Sequence, residues 1–127
     1  MSLKGKAVTA ISAVALSVGG VTATASPAQA VGGCPSGKLC LYSGTNYTNL
    51  KFTAASTNAC FRLVDYGLYH NVKSYVNNLS VNAVMYTWGT SSSVPIGTIR
   101  PGGFSSNTGT TAIGTNSEAV CMGDANP

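Results

Sequence analysis

Cys34-Pro35-Ser36-Gly37-Lys38-Leu39-Cys40-Leu41-Tyr42-Ser43-Gly44-Thr45-Asn46-Tyr47-Thr48-Asn49 is the stretch on which the fold turns. Two cysteines six apart enclose a loop that Pro35 and Gly37 can bend. A short apolar strand follows at once, with tyrosines five apart at Tyr42 and Tyr47. A tight cysteine loop feeding a strand points to a small exported β-domain closed by disulfides. It carries none of the residue pairs that an active site needs.

The residues before this stretch support export. Lys4 and Lys6 form a positive start, Ala7 to Ala25 is largely Ala, Val, Ile and Leu, and Ala28-Gln29-Ala30 is a small-x-small cleavage site after Pro27. This is the layout of a secretory signal peptide, expected at residues 1–30. The apolar run approaches the roughly 20 residues of a membrane span, but its Ser, Thr and Gly content weakens it as a permanent anchor. The expected mature chain, residues 31–127, suits one domain, extracellular and free of the membrane. It keeps five basic side chains, Lys38, Lys51, Arg62, Lys73 and Arg100, against Asp65, Glu118 and Asp124, a net charge of +2. So small and scattered a charge does not make a nucleic-acid face, which needs clustered cations.

Four cysteines in a small exported chain imply two disulfides, with three pairings open. The short Pro/Gly loop makes Cys34 with Cys40 the expected local pair, which leaves Cys60 for Cys121. A zinc site is excluded by the single histidine and the lack of a CxxC spacing.

Short runs rich in Val, Tyr, Thr and Ile between turn residues predict strands at Leu39 to Tyr42, Leu50 to Ala54, Val81 to Trp88 and Ile96 to Arg100. Arg100-Pro101-Gly102-Gly103 predicts a turn. Residues 61–70 read equally as a strand or a single helical turn, and helical signal is otherwise slight. Cys40-Leu41-Tyr42-Ser43-Gly44 matches Val84-Met85-Tyr86-Thr87-Trp88 at an offset of 44 residues, and His70-Asn71 matches Thr115-Asn116 at 45. Two repeats of this length, with about four strands each, describe paired Greek keys in one all-β domain.

The spacing of Tyr42, Tyr47 and Asn49 resembles the aromatic, aromatic and glycine corner of the βγ-crystallin-like family. Asn49 stands where that family uses a positive-φ glycine, and asparagine is the next best residue there. In the second repeat only Tyr86 remains, with Ser91 and Ser93 at the other two places. Within that fold the chain is similar to secreted actinobacterial metalloproteinase inhibitors. The matching pieces are Cys34 to Gly44, Val72-Lys73-Ser74-Tyr75-Val76-Asn77, and Ile96 to Gly102. The resemblance implies a two-Greek-key, disulfide-stabilised sandwich that blocks a secreted protease by occlusion. In that family the segment between the Tyr86-like and Ile96-like strands holds a second cysteine loop presented to the protease. Here Thr87 to Pro95 has no cysteine.

The resemblance also raises calcium, held in βγ-crystallins by paired Asn/Asp and a Ser/Thr. Asn71 and Ser74, and Asn116 in the second repeat, are the candidates, but the carboxylates calcium favours are missing. Weak or absent affinity is expected, and no other cofactor. Otherwise these side chains hold loop backbone. Catalysis has only His70, with Asp65 five residues before it, and Glu118; no enzyme is expected. Among Tyr66, Tyr69, Tyr75, Tyr86 and Trp88, most are expected in the core. Trp88, at a predicted hairpin tip, is the expected target contact, stiffened by Pro95. The expectation is a monomeric inhibitor. The alternatives are an antimicrobial or killer-toxin-like envelope-active protein and a wall- or carbohydrate-binding module.

Overall fold

Residues 31–127 are described in the computed structural model; the expected signal peptide lies outside them. Eight strands are described: β1 (Leu39–Tyr42), β2 (Leu50–Ala54), β3 (Ala59–Arg62), β4 (Ser74–Asn77), β5 (Ala83–Trp88), β6 (Ser93–Ile99), β7 (Phe104–Ser105) and β8 (Ala119–Met122). A 3-10 turn, Leu63–Tyr66, follows β3, and a short helix α1, Ala112–Asn116, precedes β8. The strands form two four-stranded antiparallel sheets, in the orders β2-β1-β4-β7 and β3-β8-β5-β6. Each half of the chain therefore builds three strands of one sheet and gives its third strand, β3 or β7, to the other.

Side-chain alternation explains the layers. In β1, Leu39 and Leu41 point inward, as do Ala83 and Met85 of β5 and Val120 and Met122 of β8. With Phe52, Leu63, Leu68, Val72, Leu79 and Ile99 they form one core fed by both sheets. The outward residues of β1 and β8 are buried too. Cys40 and Tyr42 lie in a small cluster with Cys34, Val76, Val31 and Tyr47. Ala119 and Cys121 lie with Tyr86, Cys60, Val84 and Ala125. The first and last described segments thus cover the outer faces, which is why β1 and β8 are continuously apolar rather than alternating.

The repeat is visible in the register. β1 shifts register against β2 between Leu41 and Tyr42, and β5 shifts against β6 between Met85 and Tyr86, 44 residues on. The Lys73 N–H donates to the Tyr42 carbonyl, and the Glu118 N–H donates to the Tyr86 carbonyl, both at 2.8 Å. Disulfides join Cys34 to Cys40 and Cys60 to Cys121. Cys60 and Cys121 are direct cross-strand neighbours, so the second bond fastens the exchanged strand β3 to β8.

The structure differs from the sequence reading in several details. β5 begins at Ala83 rather than Val81. β6 begins at Ser93 rather than Ile96, so Thr87 to Pro95 is mostly paired strand, and only Gly89 to Ser92 connects. Pro95 sits within β6 at the register shift; β6 is an edge strand, where a missing N–H is tolerated. Helix α1 was not legible, because Ala-Ile-Gly-Thr-Asn has no amphipathic pattern. It is held instead by the Thr111 hydroxyl, which accepts the Gly114 N–H, and by the Ser117 hydroxyl, which donates to the Ile113 carbonyl. Residues 61–70 resolve as the end of β3, the 3-10 turn, and Gly67 in the left-handed conformation.

Candidate functional site: the second hairpin and its carboxylate

The two halves close their first hairpins by different chemistry. In the first half, Tyr42 and Tyr47 meet edge to face with ring centroids 5.7 Å apart. The Tyr42 hydroxyl donates to the Gly32 carbonyl at 3.0 Å. Asn46, Tyr47 and Asn49 all have positive φ, so the chain between the tyrosines folds back tightly over the strand. The Ser74 hydroxyl, fully buried, accepts the Tyr47 N–H at 3.0 Å and donates to the Gly44 carbonyl at 2.6 Å. This corner seals the hairpin, and its rings belong to the outer-face cluster.

The second half has no ring to fold back. Its hairpin closes through a four-residue turn, Gly89 to Ser92, in which the Gly89 N–H donates to the Ser92 carbonyl at 2.7 Å. A β-carbon on Gly89 would stand 2.9 Å from that same oxygen, so the turn needs glycine there. Tyr86 stays against the sheet and its hydroxyl meets Asn126 Oδ1 at 3.3 Å. Trp88, two residues on, is 48% exposed. With Cys60, Phe61, Arg62, Ala119 and Pro127 it lines a shallow apolar groove of ≈ 210 Å³.

β5 runs past the start of β8, so the ladder leaves the Trp88 N–H without a backbone partner. The Glu118 carboxylate supplies one: Oε1 accepts the Trp88 N–H at 2.7 Å. Its other oxygen, Oε2, accepts from His70 Nε2 at 2.7 Å. The His70 ring lies flat on Tyr69, with centroids 3.9 Å apart. Tyr69, itself half exposed, is raised above the ordinary tyrosine value, chiefly by its interaction with the Glu118 carboxylate. The Trp88 amide first, and then the His70 hydrogen bond, hold Glu118 below the ordinary glutamate value.

The only histidine points its Nε2 at Glu118, a carboxylate already shared with a backbone amide. A separate polar cleft of ≈ 530 Å³ is lined by Thr57, Asn58, Ser80, Asn82 and Asp124 among others, with one carboxylate and no base. Among the described residues, no three His, Cys, Asp or Glu side chains group to hold a metal ion. Of the calcium candidates, Ser74 is used in the tyrosine corner, Asn71 follows His70, and Asn116 ends α1. Pro95 is exposed on β6 opposite Tyr86. In the sequence Glu118 stands out only as one of the few groups that catalysis could use. Nothing local marks it as a partner of Trp88, 30 residues away.

The model of peptidase inhibitor family I36 matches residues 27–91, from before the first cysteine loop into the turn after Trp88. The chain belongs to peptidase inhibitor family I36. No curated protein and no solved structure matches the chain significantly. Membership implies a protease as partner and an inhibitor rather than an enzyme. The matched segment carries the tyrosine corner and Trp88 and stops before β6, so Glu118 lies beyond it.

Proposed function

We propose that this family I36 protein is a secreted inhibitor of metalloproteinases that works by occlusion, as a monomer, on a βγ-crystallin-like scaffold of two Greek keys. The reciprocal exchange of β3 and β7, and the matched bulges before Tyr42 and Tyr86, support the scaffold. The lysine-led apolar leader at residues 1–30 supports secretion. The observation that carries the contact is Trp88. It is a large ring left half exposed at the end of a rigid strand, above an apolar groove and beside the tight Gly89–Ser92 turn. Aromatic anchors on pre-ordered backbone are what interface hot spots favour, because little side-chain entropy is lost on docking.

The cysteine clamp of the resembling inhibitors is absent from this hairpin, so a weaker complex is expected than for a clamped inhibitor. Inhibition of thermolysin by wild type and by Trp88→Ala tests the reading. Loss of the ring should weaken inhibition roughly thirtyfold, a cost of about 2 kcal/mol. Equal inhibition by both would place the contact elsewhere. No inhibition across a panel of secreted proteases would reject the inhibitor reading and favour the envelope-active alternative.

A further inference from the structure

We propose that Glu118 is a positioning residue for the protease contact: its carboxylate replaces the missing tyrosine corner of the second hairpin and, held by His70, sets the direction in which Trp88 leaves the sheet. The proposal rests on the reading of Trp88 as the contact, and it adds the device that aims it.

The comparison of the two halves carries the argument. Lys73 and Glu118 occupy equivalent places, each donating its N–H to the carbonyl of the bulge tyrosine. In the first half the residue two beyond that tyrosine is Gly44, whose N–H bonds to the Thr48 carbonyl within the folded corner. In the second half it is Trp88, and the corner is gone. An unpaired amide at the end of a two-stranded extension leaves the hairpin free to twist away from β8. The Glu118 carboxylate removes that freedom with a charge-assisted bond to the Trp88 amide. The Glu118 side chain is only 10% exposed, so water competes little for its oxygens. The opposite oxygen is held by His70, which has positive φ and whose own N–H donates to the Ser117 carbonyl at 2.9 Å. The carboxylate is thus fixed from both sides before any partner arrives, the arrangement that makes a presented side chain precise.

The titratable and charged groups around the carboxylate are few. Tyr69 and His70 face it from the connection between the 3-10 turn and β4. Arg62, on β3 across from Ala119, lies by the groove under Trp88. Among the described residues, His70–Glu118 is the only ion-pair contact. Protonating Glu118 removes the charge that both neighbours bind, so the aim of Trp88 should loosen on the acid side of the ordinary glutamate range.

The test compares wild type, Glu118→Ala, Glu118→Gln and His70→Asn, the last keeping a residue that tolerates the positive φ at that position. Two readouts do not depend on inhibition: exchange protection of the Trp88 backbone amide, and fluorescence anisotropy of Trp88, the only tryptophan in the chain. In Glu118→Ala the Trp88 amide should lose about tenfold or more of its protection and the anisotropy should fall, while the Met85 and Val120 amides stay protected. Glu118→Gln keeps a neutral acceptor and should recover part of the protection, without the acid-side loosening seen in wild type. His70→Asn serves if the alanine variant does not fold, and should show a smaller change of the same sign. Unchanged protection and anisotropy in folded Glu118→Ala would overturn the clamp.

Thermolysin inhibition then reads the role. Glu118→Ala should weaken it about tenfold, and Trp88→Ala should cost less in that background than in wild type, because both act through one contact. Full additivity, or loss at Trp88 with none at Glu118, would overturn the positioning role. No inhibition by wild type would reject the contact itself, and the exchange data would still decide the clamp.

Discussion

Ser74 shows how much a single buried hydroxyl can hold. It joins the backbone of Tyr47 to that of Gly44 across about thirty residues of chain, with no exposure to water. Replacing it with alanine leaves a part-buried N–H and a part-buried carbonyl without their partner, and fully buried groups of this kind cost about 1–3 kcal/mol when left unpaired. Urea unfolding of Ser74→Ala should therefore show a loss in that range; a change within about 0.5 kcal/mol, the size of an ordinary surface substitution, would mean that the corner does not depend on it. Asn49 makes a different demand. Its φ of 56° is cheap for asparagine or glycine and strained for a branched side chain. Asn49→Gly should leave the unfolding midpoint nearly unchanged, and Asn49→Val should lower it. Equal midpoints for both would remove the conformational argument.

At the scale of elements, the exchanged strand β3 is the part most in need of fastening. It is only four residues long, lies at a sheet edge, and pairs with β8 alone. Cys60–Cys121 closes a loop with a sequence separation of 61, against 6 for Cys34–Cys40. Chain entropy assigns about 4 kcal/mol to the first and about 2 kcal/mol to the second. Replacing Cys60 and Cys121 together by serine should lower stability more than replacing Cys34 and Cys40, as read by thermal or urea unfolding. The reverse order would show that the local loop, which holds the first described segment over Tyr42, matters more than the bond that fastens β3 to β8. Phe52, Phe61 and Tyr66 add a second fastening, with ring centroids 5.1 Å and 4.8 Å apart across the boundary between β2 and β3.

The whole molecule should be most stable between two titrations. Glu118 is depressed in the fold, chiefly by the Trp88 amide. Its contribution is fully present above the ordinary glutamate value and is lost as pH falls through its lower, folded value. Tyr42 and Tyr75 are raised, chiefly by burial and then by Tyr47. Their contribution is fully present below the ordinary tyrosine value and is lost as pH rises through the higher, folded value. Stability measured against pH should therefore fall on both flanks, and Glu118→Gln should flatten only the acid one. An acid flank unchanged in Glu118→Gln would assign it to other carboxylates. Phenolate absorbance should show at least two tyrosines titrating late, only as the protein unfolds.

The amino-acid sequence by itself determined the all-β class, the strands β1 and β2, the turn at Arg100 to Gly103 and the repeat near 44 residues. Those features are written in local alternation, turn residues and spacing, which do not depend on distant partners. It also contained the corner residues Tyr42, Tyr47 and Asn49, which lie within eight positions of one another. The tertiary structure decided what depends on long-range pairing. β3, β4 and β8 were not assigned as strands, because both faces of β8 are covered and β3 belongs to the sheet of the other half. Helix α1 rests on two hydroxyl caps rather than on a pattern. The partnership of Glu118 with Trp88 and His70 spans 30 and 48 residues, and only the antiparallel stacking of β8 on β5 brings it together. A carboxylate in a polar stretch looks the same in sequence whether it is solvated or clamped, because what distinguishes the two is which donors the fold delivers to it.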